Sequence, residues 1–481
     1  MADMRTDNTV TFIHTSAEDD KTVYTPLIPI GMVGLASFLD RNYILSEILN
    51  VELERILNPD FDLAAYLIEN KRTVFCLNLH WHSQSVKVME LCRLLKEAIP
   101  CSRIILGGFT ASYYAAEIMA SFPEIDFIIT GESEQPLLDL LVRIFSGNKD
   151  FHLVANLFFR EGGAVLSSRL TYNTTQQIID AMEFANFKFL KNYDYYLRVE
   201  DPLNKADGLL SNVPATFYYN CGRGCLVNCS FCGGSRVAQK IINHRSEIIF
   251  ISQGAVVREL KRASHEYGIT RWHTCFDPLP KGDYYIELFR KIRAEGLKLN
   301  LGFECWALPS RQFIDEFAMT FDLCSSVLEI SPECGSQRVR RQNKGYYYSN
   351  TELLDTLKYV FLRDIKVRVF FTAGLASETR DDIKETLKLI RLLRMQFKQI
   401  NIKACCIEME PCSPWNLDAE EYGITTDRRN FSDFLRAHQT GPSLGYRTNE
   451  FTGEDIEQIV AFYNSYNKTF DAKARNYSCC L

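Results

Sequence analysis

No apolar run in this 481-residue chain reaches the length of a membrane span, so no membrane partner is expected. The first residues, MADMRTDNTVTFIHTS, contain no basic stretch leading into an apolar one, and a secretory signal is not expected. The last, NYSCCL, are not a prenylation box, because Ser478 stands where the modified cysteine would be. No long Lys/Arg cluster interrupts a chain of formal net charge −6, which argues against nucleic acid and for a small molecule or a peptide as substrate. There is no internal repeat and no low-complexity tract. What is present is ordinary globular composition, 46% hydrophobic and 24% charged, at a length that suggests about three domains in a monomer.

Cysteine is plentiful, with sixteen in the chain. Cys76, Cys92, Cys275, Cys305, Cys324, Cys405 and Cys406 fall inside apolar or periodic segments, as buried thiols do. That placement reads as a reducing, cytoplasmic setting rather than a disulfide framework.

Residues 1–148 alternate strand and helix patterns. VTFIHT (10–15), YILSEILN (43–50), TVFCLNL (73–79), RIILGG (103–108) and DFIIT (126–130) read as strands. Between two of them, Val88, Leu91, Cys92, Leu95, Ala98 and Ile99 recur with helical period. Helical crossovers between strands predict a parallel, doubly wound Rossmann-like α/β domain. Residues 149–205 read as a connector that starts with a hairpin turning at Gly162-Gly163. The alternation resumes over 206–410, with strands at 215–220, 269–275, 297–305, 325–331, 366–374 and 399–408 and helices such as 251–268 and 380–397. Six β/α units predict a partial parallel barrel rather than a closed eight-stranded one. Residues 411–481 read as a small C-terminal extension without a clear pattern.

The densest feature is YYNCGRGCLVNCSFCGGS, Tyr218 to Ser235, where four cysteines fall within twelve residues and three are spaced C-x3-C-x2-C. It directly follows the first barrel strand, and ligand sites of parallel α/β folds form at the carboxyl ends of strands. Thiolates suit zinc or iron–sulfur clusters. A closed zinc site takes four ligands, commonly from two separated C-x2-C knuckles, and no second knuckle lies nearby. An ordinary four-iron cluster also takes four cysteines. Three would leave one iron open to a substrate. A zinc site, or a chance gathering of buried thiols, is the alternative.

Cys225, Cys229 and Cys232, with Phe231 two residues after the second, resemble the signature of the radical S-adenosylmethionine (SAM) superfamily. The resemblance implies a 4Fe-4S cluster on these three cysteines, with SAM bound to the open iron. Cys221 lies outside the signature and is read as a packed thiol rather than a fourth ligand. Gly233, Gly234 and Ser235 are similar to the segment that receives the methionine amino group. Ser331 and Glu333 in EISPECGS would contact ribose, and Arg338 or Arg341 in RVRRQNKG would reach the SAM carboxylate. TAGLASET, with Gly374, resembles the GLPGET turn near adenine, with Ala376-Ser377 in place of Pro-Gly.

Three loops of the first domain follow strands and converge on one sheet edge. They carry Asn78, His80, Trp81 and His82; Gly107, Gly108, Thr110 and Ser112; and Gly131, Glu132 and Glu134. Gly107-Gly108 would let a large flat ligand approach closely. These loops resemble the cobalamin-binding domain of cobalamin-dependent radical SAM enzymes, and with the barrel the resemblance spans most of residues 5–410. The D-x-H-x-x-G motif of many cobalamin enzymes is absent. That fits relatives which hold cobalamin without a histidine ligand. His80 and His82 could alternatively hold zinc, but no third ligand is evident, and they are read as lining the cobalamin pocket or as structural groups. A nucleotide-binding Rossmann domain is the other alternative, weakened by the missing G-x-G-x-x-G.

At the other barrel strand ends, His273, Asp277, Glu304 and Trp306 would face the mouth, with Tyr347 from KGYYYSN as a further substrate candidate. Tyr346, Tyr348 and Trp272 rank beside them, although aromatics there are more often core. The resemblance implies a C-methyltransferase acting on an unactivated carbon through a 5′-deoxyadenosyl radical and methylcobalamin, with electrons from an external flavodoxin- or ferredoxin-type donor. Cyclisation or rearrangement, and methyl transfer without the radical, remain alternatives. A cobalamin or redox sensor with a structural cluster is an alternative of a different class. A tRNA-modifying enzyme is disfavoured by the missing basic C-terminal domain.

Overall fold

The computed structural model describes residues 9–15, 27–198, 215–397, 399–441 and 443–474, so the expected boundary at 205/206 and the C-terminal NYSCCL lie outside the described residues. The chain forms two compact units. The first joins the N-terminal part to Ala238–Ile269 and Asn430–Gly441, and the second contains Thr270–Arg429.

The first unit is built on a seven-stranded sheet. Its strands are β1 Val10–His14, β2 Ser46–Asn50, β3 Val74–Asn78, β4 Arg103–Gly107, β5 Phe127–Ile129, β6 Leu157–Glu161 and β7 Ala164–Ser167, in the order β2-β1-β3-β4-β5-β6-β7. The first five run parallel. Their near-continuous apolar runs are buried, as expected where helices cover both faces of a sheet. The expected helix around 88–99 is Ser85–Ala98, which buries Val88, Met89, Cys92 and Leu95. The strand expected at 43–50 begins at Ser46, because Tyr43 turns with φ +62° and is 95% exposed.

The hairpin behaves differently from expectation. It turns at Gly162-Gly163, both with positive φ, the geometry of a tight two-residue hairpin loop. Instead of opening a connector, it completes the sheet: β6 pairs antiparallel with β5, Phe159 opposite Phe127 and Leu157 opposite Ile129. Leu157 and Phe159 are buried while Phe158 and Arg160 are half-buried, so the alternating strand covers what would be an open sheet edge.

The second unit holds six parallel strands: β8 Thr216–Tyr218, β9 Arg271–Thr274, β10 Asn300–Cys305, β11 Val327–Glu333, β12 Lys366–Phe371 and β13 Asn401–Ala404. They lie side by side in sequence order, the open six-stranded arrangement read from the sequence. The C-terminal extension is structured. β14 Ile424–Thr426 pairs with β15 Tyr446–Thr448, and the helix Gly453–Ala474 caps the barrel edge. There the Asn464 amide both donates to and accepts from the backbone of Ala404 on β13. The helix Phe431–Thr440 belongs to the first unit.

Candidate active site

In the first unit, the loops after β3, β4 and β5 are tied to one another. Thr110 donates its N–H and hydroxyl to the His80 carbonyl, and Ser112 Oγ accepts from Gly131 N at 2.9 Å. Both hydroxyls expected to meet a ligand are therefore engaged within the protein. Gly108 has φ +106°, and a Cβ there would lie 2.7 Å from the Leu79 carbonyl carbon. A close approach to the neighbouring Leu79–His80 backbone thus demands a glycine here. Gly107 is the open position, its Cβ site meeting nothing nearer than the Ile129 carbonyl oxygen at 3.9 Å.

Glu132 forms a buried, forked ion pair with Arg245 and accepts from Thr174 N at 2.6 Å, so it acts as scaffold. His82 Nδ1 lies 2.8 Å from His438 Nε2 on the helix Phe431–Thr440. His80 packs edge-on to Trp81 and Phe109, and burial lowers its pKa to about 4, holding it neutral. Trp81 is half exposed, and Glu134 is buried at the start of the helix Glu134–Ser146. Gln84, which sequence reasoning missed, accepts from His80 N and Trp81 N and donates to the Thr15 carbonyl.

At the same sheet edge, Asn78 Oδ1, His14 Nδ1, Thr15 Oγ1 and Ser85 Oγ are buried and find no hydrogen-bond partner among the described residues. Their parallel register places His14 level with Asn50 and Asn78 level with Gly107. Buried polar atoms ordinarily have partners. Such a row beside the open Gly107 fits a ligand that brings its own donors and acceptors, as the amide-rich periphery of cobalamin does.

In the second unit, the cysteine loop winds through successive turns, Cys232 N donating to Cys229 O and Ser235 N to Cys232 O. Gly345 N and Gly234 N donate to the sulfurs of Cys229 and Cys232, both at 3.3 Å. Burial raises all three thiol pKa values, Cys232 to about 12. At Cys229 the Lys344 ammonium opposes this rise. The three thiols influence one another electrostatically, and none is in a disulfide. Among the described residues, the group of three ligand atoms gathered tightly enough for one ion is His273, Glu304 and Glu329, and it does not include the loop cysteines. A wider three-thiol cradle with backbone N–H groups aimed at sulfur fits an iron–sulfur cluster better than a zinc ion. Cys221 is fully buried.

Around the loop, Ser230 N and Oγ bond the backbone and side chain of Asn343, and Trp415 N donates to Ser230 O. The Trp415 ring meets Phe231 edge-on. A Cβ on Gly233 would lie 3.1 Å from Glu410 Cβ and 2.9 Å from the Pro411 carbonyl oxygen, so the segment after β13 presses on the motif. Ser235 is buried, and its Oγ has no hydrogen-bond partner among the described residues. Ser331 and Glu333 lie at the end of β11, where the register shifts and Glu333 takes φ +65°. Glu333 accepts from Lys344 Nζ at 3.0 Å.

Neither expected arginine is free. Arg338 bonds Asp382 and the Ser377 carbonyl, and Arg341 lies over the Tyr347 ring. Arg340 is wholly buried, holding the carbonyls of Pro332, Cys334 and Tyr348. Gly374, φ +78°, faces Ile456, and its N–H bonds Glu378 Oε2, whose carboxyl is pushed up to about 7 by burial.

At the strand ends, His273 Nε2 lies 3.0 Å from Glu304 Oε1, and Glu329 pairs with Arg368 at 2.7 Å. A Cβ on Gly302 would lie 2.5 Å from His273 Nδ1, so the imidazole occupies the space that glycine leaves. Glu329 and Arg368 were not singled out from the sequence, although each is a charged residue inside an apolar strand. Asp277 does not open to the mouth as expected: it is 1% exposed, is paired with Lys281 and accepts from Trp306 N. Trp306 Nε1 donates to the Cys275 carbonyl, Trp272 is core, and Tyr346 OH accepts from Leu279 N.

Comparison with known proteins assigns a domain family to each of two parts of the chain. The radical SAM superfamily matches residues 219–390, and the B12 binding domain matches residues 20–141. The chain is similar to an uncharacterized methyltransferase of Pyrococcus horikoshii, 24% identical over 62% of this chain and 60% of that one. It is also similar to the anaerobic magnesium-protoporphyrin IX monomethyl ester cyclase of Cereibacter sphaeroides, 23% identical over 62% of this chain and 46% of that one. The chain thus spans about half the length of these curated relatives. In fold it resembles the radical SAM methyltransferase TsrM of Kitasatospora setae with cobalamin and a [4Fe-4S] cluster bound, at TM-score 0.68, 14% identity, and coverage of 95% of this chain and 88% of that one. The cobalamin-dependent radical enzyme OxsB with aqua-cobalamin gives TM-score 0.65 at 15% identity, covering 94% of this chain and 66% of that one. A B12-binding domain over residues 20–141 and a radical SAM domain over residues 219–390 thus stand in one chain, the two-domain combination of cobalamin-dependent radical SAM enzymes, and the cofactors that go with these domains are a 4Fe-4S cluster, SAM and cobalamin.

Proposed function

We propose that this enzyme is a C-methyltransferase acting on a small polar molecule or a peptide. The observation that carries the reading is a cobalamin domain and a SAM domain in one chain, which give it both a methyl carrier and a methyl source. When bound, the cluster and SAM supply hydrogen abstraction, and cobalamin carries methyl. In this reading Cys225, Cys229 and Cys232 hold the cluster; Gly233, Gly234, Ser235, Ser331 and Glu333 border SAM; and Asn78, His80 and Gly107 border cobalamin. His273 and Glu304, with Glu329 and Arg368 behind them, supply donors, acceptors and charge at the strand ends. That set suits a polar substrate better than a hydrocarbon, because desolvated charges need partners. Electrons come from an external flavodoxin- or ferredoxin-type donor, and the enzyme works as a cytoplasmic monomer.

A second reading is cyclisation, favoured by similarity to a relative named as a cyclase. Incubating reconstituted enzyme with methyl-deuterated SAM, hydroxocobalamin, reductant and candidate metabolites separates the two by mass spectrometry. Methyl transfer predicts labelled product, with S-adenosylhomocysteine and 5′-deoxyadenosine in near-equal amounts. Deoxyadenosine alone, with unchanged product carbon count, would favour cyclisation. Adenosylhomocysteine alone would favour methyl transfer without a radical.

A further inference from the structure

The segment Asn343-Lys344-Gly345 is built against the cysteine loop along its whole length. Asn343 receives Ser230 N at 2.8 Å and Ser230 Oγ at 2.7 Å, and its own amide is fixed by the carbonyls of Val339 and Ala376. Gly345 N donates to Cys229 Sγ, and a Cβ at 345 would lie 2.6 Å from the Val227 side chain. No other residue type could sit this close to the loop without displacing it. Between them stands Lys344, only 8% exposed, its ammonium 3.0 Å from Glu333 Oε1. A buried lysine is costly unless its charge is matched. The carboxylate that matches it is held on a backbone of φ +65°, a conformation that glutamate seldom adopts.

From this juxtaposition we propose that Lys344 is the cation of the cluster site, a positioning residue that sets the reduction potential of the iron–sulfur cluster, with Glu333 moderating its charge. The proposal rests on Cys225, Cys229 and Cys232 holding that cluster. Taking up an electron adds negative charge to a site already carrying three thiolates. A nearby buried ammonium favours the reduced state, and low local dielectric strengthens its effect. An N–H donated to a ligand sulfur acts in the same direction. Glu333 opposes the ammonium, so losing the carboxylate should strengthen the lysine's influence.

The test is redox titration of the reconstituted holoenzyme without substrate, followed by the electron paramagnetic resonance signal of the reduced cluster. Lys344→Met should keep its iron and show about a tenfold smaller ratio of reduced to oxidised cluster at a fixed potential, which is about 59 mV for one electron. Lys344→Arg should titrate close to the parent, and Glu333→Gln should shift the other way. Parent-like titration of an iron-replete Lys344→Met overturns the proposal. If Lys344→Met fails to retain iron, Glu333→Gln decides, and an unshifted titration there overturns it equally. Parent enzyme that takes up no iron on reconstitution would overturn the cluster assignment itself, a result distinct from any shift in potential.

Discussion

Replacing Arg245 should damage the first unit more than any surface change. Its guanidinium forks onto Glu132, Nε to Oε1 at 2.9 Å and Nη2 to Oε2 at 2.7 Å, with side chains only 2% and 4% exposed. Nη2 also reaches the Thr174 carbonyl at 3.0 Å, and the Thr174 N–H returns to the same carboxylate. Arg245→Met leaves a desolvated carboxylate without its cation, a loss of about 3–5 kcal/mol. Leu at 132 together with Met at 245 removes both charges but leaves the two Thr174 backbone groups short of partners. That double variant should sit about 1–3 kcal/mol below the parent, above Arg245→Met alone. Hydrogen exchange on peptides containing Thr174 and Arg245 reads the local opening free energy without assuming that the whole chain unfolds in one step. A loss below about 1 kcal/mol in Arg245→Met, or a double variant no better than that single one, would refute the reasoning. The same double variant examines Glu132 as scaffold. Hydroxocobalamin affinity should persist, and weaker binding with intact exchange protection would make Glu132 a ligand instead.

Alanine at Cys225, Cys229 or Cys232 should remove most iron from anaerobically reconstituted protein, whereas Cys221→Ala should retain it; iron assay checks both. Gly108→Val should destabilise the first unit even without cobalamin, because its Cβ meets the Leu79–His80 backbone, and parent-like thermal stability of the cobalamin-free variant would contradict this. Glu378 should make stability pH-dependent. Its folded pKa of about 7 lies above the ordinary 4.5, so the folded state holds the proton more tightly and stability falls as pH rises from about 4.5 to 7. The drop is on the order of 3 kcal/mol at about 1.4 per pH unit, and Glu378→Gln should flatten it in denaturant titrations across that window.

The strand–helix alternation and the cysteine spacing were legible because both are local: a periodicity over a dozen residues, or ligands within eight. What the sequence hid depends on distant partners. Glu132 resembled a ligand until Arg245, 113 residues away, came to face it. Arg338 and Arg341 attracted attention in RVRRQNKG, yet the helix Gln337–Asn343 leaves both exposed and turns Arg340 inward instead, with Lys344 buried just after the helix ends. A run of basic residues does not reveal which one follows the cap. The hairpin's place in the sheet was equally hidden, since alternation identifies a strand but not the edge it will complete.

The discontinuity of the first unit has a consequence for biosynthesis. A ribosome delivers residue 202 long before it delivers the segment ending at Gly441, and that last piece supplies His438 to His82 and bonds Phe431 N to Glu117. At typical elongation rates of about 5–20 residues per second, the gap is roughly 10–50 s. Through that interval the nascent unit lacks its final helix, with Tyr114 and Phe122 waiting for Phe431. Truncation at residue 148 reproduces a related state permanently, because it severs β5 from β6 and discards Arg245. Such a fragment is expected to need chaperones, or to aggregate, where the full-length chain does not.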